Sequence, residues 1–491
     1  MEEAPSAETI NQKAMRSVKW SALMEIVSRT AAPIVTVILA RLLTPTDFGV
    51  VATAMIAISF AQMFWDAGLS KALVQTNEAP EEAAHVVFWT NLVLGLVIYV
   101  LLFFAAPWLV VFFNSPASGP VLRVLGLQIV IASLSSVQQA LFVRELDFRR
   151  LFWVKLLTAF VPGFFSIPLA FYGYGVWALV AGTLVGQTLN LMLLWRYSLW
   201  RPRLQYDRHL ARGIFGFGVW VVAESLGGWL LIWGDNLIVG RFLGIDELGV
   251  YRTGWMLATI AFGLVLNPFL PVLYPTFSRM QNDLPLLKAS FHKVNRIIIA
   301  LSLPMGIGLF LLGPEIATIL FGSKWQGLGL VLSVIGLALG LAWSVGINTE
   351  VYRAMGRPDI NTRLLFVTIL LYMPAYYLAA QFSLEIFLYV RLSLVFMGIA
   401  VQVYVCQRLL NVSTFYLWYD GKNFILAAIA MGTGIGVVKW GIHAITTALP
   451  QVFALALLII IGVGIYAASL WMLDRSFVLQ TSRLIRQGTL S

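Results

Sequence analysis

Seven ionisable side chains stand out as candidates for chemistry in this chain, because each falls within or at the end of an otherwise apolar stretch: Glu25, Arg29, Asp66, Glu224, Asp235, Arg252 and Arg391. A charge in hydrocarbon costs from roughly 2.5 kcal/mol upward, so each must face protein, water or a ligand. Glu25 and Arg29 have the i,i+4 spacing that puts both on one helix face. There they can neutralise each other, or the arginine can grip phosphate or carboxylate oxygens with two parallel hydrogen bonds. Glu224 falls deep in its stretch and suits a structural or proton-binding role in a cavity, whereas Asp235 lies nearer one end. Asp66 closes the inner end of its stretch. Arg252 and Arg391 could supply positive potential to a cavity or snorkel to an interface.

No catalytic constellation accompanies these charges. The sequence has no HExxH, GxSxG, paired-Asp or GxxxxGK[ST] pattern, and no Ser/His/Asp grouping that fold logic would assemble. One cysteine, Cys406, excludes an intrachain disulfide and a Cys-rich zinc site, and the four histidines form no ligand pair. The residues predict no enzyme, no metal and no cofactor.

The elements that must position these charges are membrane helices. Of 491 residues, 59% are hydrophobic and 11% charged, against about 25% charged in a soluble protein. Apolar stretches of the roughly 20 residues needed to cross a bilayer recur along the chain. They fall at about 18–42, 48–68, 84–112, 121–143, 151–172, 175–196, 214–239, 249–275, 294–320, 328–352, 362–380, 385–407, 421–446 and 451–473, which predicts fourteen spans. The end of the third, from Pro107 to Phe113, could lie in the interface. The polar first eighteen residues and the long apolar run after them predict no cleaved leader.

The net charge of +10 is explained by the loops. Basic residues collect on alternate connections, such as Arg144, Arg149, Arg150 and Lys155, or Arg196, Arg201, Arg203, Arg208 and Arg212. Only Arg41, Arg123, Arg241, Arg252, Lys324 and Lys439 fall on the opposite side. By the positive-inside rule both termini are cytoplasmic. The charge then needs no nucleic-acid partner. All loops are short, which counts against a membrane glycosyltransferase or polymerase carrying an extracytoplasmic domain.

An internal repeat organises the spans. Ala40-Arg41-Leu42-Leu43-Thr44-Pro45-Thr46-Asp47-Phe48-Gly49-Val50 aligns with Gly240-Arg241-Phe242-Leu243-Gly244-Ile245-Asp246-Glu247-Leu248-Gly249-Val250 at an offset of 200, which also pairs Trp20 with Trp220. The repeats are parallel, and a site at the cleft between them is expected. The expected organisation is a tail at 1–17, a six-helix bundle at 18–197, a linker at 198–213, a second six-helix bundle at 214–410, two additional helices within 421–473 and a tail at 474–491. Trp220, Trp229 and Trp233 could stack on sugar rings or simply pack. Pro33, Pro268, Pro271 and Pro275 predict bends. Gly182 with Gly186, Gly336 with Gly340 and Gly432 with Gly436 have the spacing for close helix contact.

The motifs Lys19-Trp20-Ser21-Ala22, Leu39-Ala40-Arg41-Leu42-Leu43-Thr44-Pro45-Thr46-Asp47-Phe48-Gly49, Asp66-Ala67-Gly68-Leu69-Ser70-Lys71-Ala72-Leu73-Val74-Gln75, Asp235 to Gly244 and Phe321-Gly322-Ser323-Lys324-Trp325 resemble the polysaccharide transport branch of the multidrug/oligosaccharidyl-lipid/polysaccharide flippase superfamily. The likeness, closest to Wzx-type exporters of colanic-acid-like units, covers about residues 15 to 410. It implies a MATE-like, V-shaped pair of six-helix bundles in a bacterial inner membrane. The implied activity is translocation of undecaprenyl-pyrophosphate-linked oligosaccharide for exopolysaccharide, O-antigen or capsule assembly, with Arg29 as first choice to meet pyrophosphate or an acidic sugar. The implied partners are that lipid-linked substrate, membrane lipid, the polysaccharide polymerase and the chain-length proteins. The competing expectations are a cation-coupled multidrug antiporter of the same superfamily and a non-transporting scaffold of an envelope-synthesis complex.

Overall fold

A computed structural model describes residues 33–66, 69–75, 80–205, 208–445 and 450–480. All regular structure among these residues is helical, as it must be where lipid offers no hydrogen bonds to the backbone. Twelve helices among them are long and apolar enough to cross a membrane. The other two expected spans fall on a shorter apolar helix, Pro33–Leu42, and on the helix Arg208–Phe242.

The chain divides into two compact units between Arg252 and Thr253. The first contains α1 (Pro33–Leu42), α2 (Pro45–Asp66), α3 (Leu69–Gln75), α4 (Pro80–Phe113), α5 (Ser118–Leu125), α6 (Leu127–Arg144), α7 (Phe148–Phe171), α8 (Val176–Tyr197) and α9 (Arg208–Phe242). It ends on the first turns of α10 (Ile245–Leu266). Val50, Ala54, Ile58 and Ala61 recur every three or four residues along α2, so they share one face, and that face packs on Val121, Leu122 and Leu125 of α5. On α8, Gly182 and Gly186 let the helix close on Pro162 and Ser166 of α7. Asp147 caps α7 by accepting a hydrogen bond from the Arg150 amide at 3.2 Å.

The repeat is visible in the backbone. Helices α1 and α9 end at Leu42 and Phe242, α2 and α10 begin at Pro45 and Ile245, and both following helices have 22 residues. Where α2 and the start of α10 cross, Thr46 donates a hydrogen bond to Asp246 at 2.5 Å.

The second unit holds the rest of α10, then α11 (Leu270–Arg279), α12 (Leu284–Phe321), α13 (Leu328–Ala342), a 3-10 turn at Trp343–Val345, α14 (Asn348–Ala354), α15 (Pro358–Ala379), α16 (Leu384–Leu410), α17 (Tyr416–Ile445) and α18 (Gln451–Leu473). The span expected at 249–275 is corrected here. Pro268 stands in the turn after Leu266, and Pro271 takes an early position of a separate helix, α11. The missing proline N–H groups thus fall where a helix has no partner for them. The expected span 328–352 is likewise interrupted by the 3-10 turn.

Helix α12 runs through this unit for 38 residues. Gly336 and Gly340 of α13 close on it at Leu309 and Gly306, whereas Gly436 of α17 has nothing within 4 Å of a Cβ position. Polar contacts fasten α17 and α18 to α12. Asp420 lies 2.8 Å from the His292 ring and accepts from Asn295 at 3.4 Å. Asp474, just beyond α18, pairs with Arg296, and Lys439 reaches Glu315 at 2.6 Å.

Candidate functional site

The expected site residues are distributed rather than gathered. Glu25 and Arg29 lie outside the described residues. Asp66 ends α2 and Glu224 lies within α9, and both side chains are outside the described set. Arg391 belongs to the second unit, where its guanidinium stands 5.7 Å from the Tyr376 ring centre.

Asp235 and Arg252 do come together. Asp235 is buried, and its carboxylate accepts from the Tyr251 hydroxyl at 2.6 Å and from the Asn236 side-chain amide at 2.7 Å. Arg252 lies over the Trp233 ring at 4.2 Å and feels the Asp235 charge. A buried carboxylate satisfied in this way ties the end of α9 to the start of α10. Trp229 packs too, donating to Ser59 at 3.0 Å and meeting Phe60 edge-on.

A second constellation lies wholly within the first unit. A cavity of about 550 Å³ opens among the end of α2, α3, α6, α7 and α8. Polar side chains converge on it from four helices: Ser70 from α3, Ser135, Ser136 and Gln139 from α6, Lys155 from α7, and Gln187 and Asn190 from α8. Lys155 is seven residues into α7, about 10 Å along its axis, and among the described lining residues it is the single charge. Asn190 is 8% exposed and its Oδ1 has no hydrogen-bond partner among the described residues, nor does the buried Nε1 of Trp65 on the same wall. A buried donor and a buried acceptor without partners are the mark of a place where water or a polar ligand completes the bonding.

Ser135 and Ser136 donate back to carbonyls of their own helix, and Ser136 also accepts from Asn91 at 3.0 Å. The local geometry follows from sequence: Gly182 and Gly186 bring α7 and α8 into contact, and directly after them Gln187 and Asn190 share a face by i,i+3 spacing.

Reading charges alone missed the cavity's uncharged members. Gln139, Gln187 and Asn190 interrupt apolar helices, and that interruption was the available signal. By charge alone Lys155 reads as one more inner-face basic residue, since its neighbours Arg149 and Arg150 occupy the same end of the helix.

Comparisons with known proteins agree with one another. A family profile described as polysaccharide biosynthesis protein matches residues 38–329. The succinoglycan biosynthesis transport protein ExoT of Rhizobium meliloti is 30% identical over 336 residues, covering 68% of each chain. The teichuronic acid biosynthesis protein TuaB of Bacillus subtilis is 24% identical over 98% of this chain and 100% of its own. Among solved structures, the lipid II flippase MurJ in an inward closed conformation superposes with a TM-score of 0.70 at 15% identity, over 94% of this chain and 100% of MurJ. The fold is therefore MurJ-like and MATE-like, and the chain belongs to the polysaccharide biosynthesis protein family.

Proposed function

We propose that this protein translocates undecaprenyl-pyrophosphate-linked oligosaccharide repeat units from the cytoplasmic to the periplasmic leaflet of a bacterial inner membrane. The single observation that carries the reading at the level of geometry is the polar cavity of the first unit, lined by uncharged hydrogen-bonding groups and Lys155 among helices that are apolar over most of their length. Dragging a hydroxyl-rich, charged headgroup through hydrocarbon is costly because its polar groups lose their hydrogen bonds. A cavity that replaces those bonds lowers the cost while the polyprenyl tail stays in lipid.

In this reading fourteen spans place both termini in the cytoplasm. The two repeats, 18–197 and 214–410, alternate access, and the helices within 421–473 are an addition to them. The matching α1–α2 and α9–α10 connections support the repeats, and the basic inner loops support the orientation. The cavity lies at the end of α6, α7 and α8 that carries Arg144, Arg149 and Arg196, which is the cytoplasmic end by the same rule. Arg29, Glu25, Glu224 and Asp66 remain proposed members of the translocation path, with Arg252 and Arg391 adding positive potential. The protein acts without catalysis of its own, and the polymerase and chain-length proteins are its proposed successors along the assembly line.

The test is transfer of a fluorescent undecaprenyl-pyrophosphate oligosaccharide in proteoliposomes, read as the rate at which label changes accessibility to a membrane-impermeant quencher. The expected result is transfer well above that of protein-free liposomes. Equal rates with correctly inserted protein would overturn the reading.

A further inference from the structure

The second unit has a cavity of its own, of about 300 Å³, enclosed by the end of α13, the 3-10 turn, α14, α15 and α16. We infer that it is a binding site for a hydrocarbon chain, occupied by one acyl chain of a membrane phospholipid that stays with the protein. This occupant is separate from any transported cargo.

The lining decides the class of ligand. None of its fifteen residues carries a charge, and Val345, Leu364, Val367, Leu371, Val395 and Ile399 give it aliphatic walls. Its polar groups are turned to protein partners. The Tyr372 hydroxyl donates to the Leu394 carbonyl at 2.7 Å, Gln402 Oε1 accepts from Tyr352 at 3.0 Å, and Thr349 donates to the Gly346 carbonyl at 3.2 Å. Among the described residues no lining side chain is a buried polar group left without a partner, in contrast to Asn190 and Trp65 of the first cavity. Water needs two to four polar partners, so an apolar space of this kind excludes it and takes up hydrocarbon, as an engineered cavity of about 150 Å³ takes up benzene.

The mouth decides the source. Val367 and Leu371 line the cavity and are each 43% exposed, and Phe366 and Leu370 beside them on α15 are more exposed still. Because α15 is long and apolar enough to cross a membrane, that side of the cavity meets hydrocarbon rather than water. Phospholipid is the solvent there and outnumbers any lipid-linked glycan, so mass action favours its acyl chain. The void also lies where the fold needs filling: α13 gives way to the 3-10 turn at Trp343, and Ala342, Val345 and Gly346 of that break form one wall. Atoms that face an empty space lose dispersion contacts, and an acyl chain restores them across the break. In the proposed repeats, α6, α7 and α8 correspond in order to α13–α14, α15 and α16. Equivalent spans thus enclose polar groups in one copy and an apolar space in the other.

The experiment places the full-length chain in nanodiscs of phospholipid that bears a photoreactive diazirine on one acyl chain. The protein is then moved to detergent, washed and irradiated, and adducts are mapped by mass spectrometry. The expected result is labelled phospholipid retained through the wash, with adducts concentrated in 364–372 and 395–402. Excluding two methylenes from a pocket lowers affinity about ten-fold, so filling it with Thr368→Phe and Val401→Phe together should lower retention by about that factor. The thermal midpoint of the double variant checks that it folds. Adducts spread evenly over the outward faces of the spans, loss of all label from folded protein, or unchanged retention in the folded double variant would each overturn the inference.

A competition on the wild-type protein decides the case even where the filled variant misfolds. Excess unlabelled phospholipid is expected to displace the label, and undecaprenyl phosphate is expected to do so only at higher concentration. Displacement by undecaprenyl phosphate at the lower concentration would overturn the phospholipid assignment and make the cavity a site for the carrier's chain. Retention is measured with no glycan present, so failure of the transport assay and failure of this site are read independently.

Discussion

Gly49 and Gly249 hold equivalent places at one helix crossing although they are 200 residues apart: a Cβ on Gly49 would sit 2.0 Å from the Ile245 carbonyl oxygen, and a Cβ on Gly249 would sit 2.0 Å from the Pro45 carbonyl oxygen. Each copy of the repeated motif thus rests its glycine on the first residue of the other copy's helix. The glycine shared by the two motifs makes the contact, and in a membrane such close approach is what lets dispersion and backbone contacts hold helices together.

Alanine at either glycine is therefore expected to lower the thermal midpoint of the detergent-solubilised protein, by overpacking worth about 1–3 kcal/mol. Gly228→Ala, inside α9 where a Cβ meets nothing within 4 Å, should not lower the midpoint and should raise it slightly, since alanine favours the helix by about 0.5–1 kcal/mol, and it serves as the control. Identical midpoints for all three variants would show that the crossing yields more than its geometry implies.

Asp235→Ala removes the acceptor of the buried Tyr251 hydroxyl and the carboxylate that Arg252 feels. Breaking a buried charged network in this way costs about 3–5 kcal/mol, so poor yield or early unfolding is expected. Tyr251→Phe, which leaves an oxygen short of one donor, should cost less, about 1–3 kcal/mol. Chemical or thermal unfolding of both variants measures the order, and a milder Asp235→Ala would refute it.

Burial pushes the Asp474 carboxyl up, but hydrogen bonds from Asn423, Ser476 and the Phe477 amide, with Arg296 beside it, outweigh burial and hold it below its ordinary value. A carboxyl whose value is lowered on folding contributes stability that is fully present above the unfolded value, near 4, and is lost as pH falls through the folded one. Thermal midpoints measured from pH 6 downward should fall in that acid window for the wild type. Asp474→Asn should begin lower at neutral pH and lose less over the same window; parallel curves would remove Asp474 from the account.

Lys439 and Glu315 pair at 2.6 Å within the spans of α17 and α12, and Lys439 also donates to the Leu311 carbonyl at 3.1 Å. Removing one member leaves the other charge facing a low-dielectric surrounding, whereas replacing both with apolar residues of similar size is often neutral. Glu315→Leu and Lys439→Met singly should therefore destabilise more than the double replacement does. A double variant worse than either single one would contradict this.

Much of the fold was legible because lipid imposes one rule on every span: a long apolar run must close its own hydrogen bonds, so run length and the spacing of basic loops report the helices. The motif at Ala40–Val50 and Gly240–Val250 reported the repeat for a similar reason, since the same crossing needs the same small residue in both copies. The breaks at Pro268 and at Trp343–Val345 were less legible. An apolar stretch reads alike whether the helix continues or restarts, and only neighbouring packing decides which.

The candidate site divides along the same line. Residue types by themselves determined that Asp235, Arg252 and Arg391 must face protein, water or a ligand, because a charge in hydrocarbon is costly. Which partner each found was decided by tertiary structure: Tyr251 for Asp235, Trp233 for Arg252, Tyr376 for Arg391. The same holds for the cavity, where Gln139, Lys155 and Asn190 come from three helices and their sequence spacing carries no trace of their meeting. Sequence encodes the cost of burying a polar group one residue at a time, while the groups that offset that cost are brought together only when the helices pack.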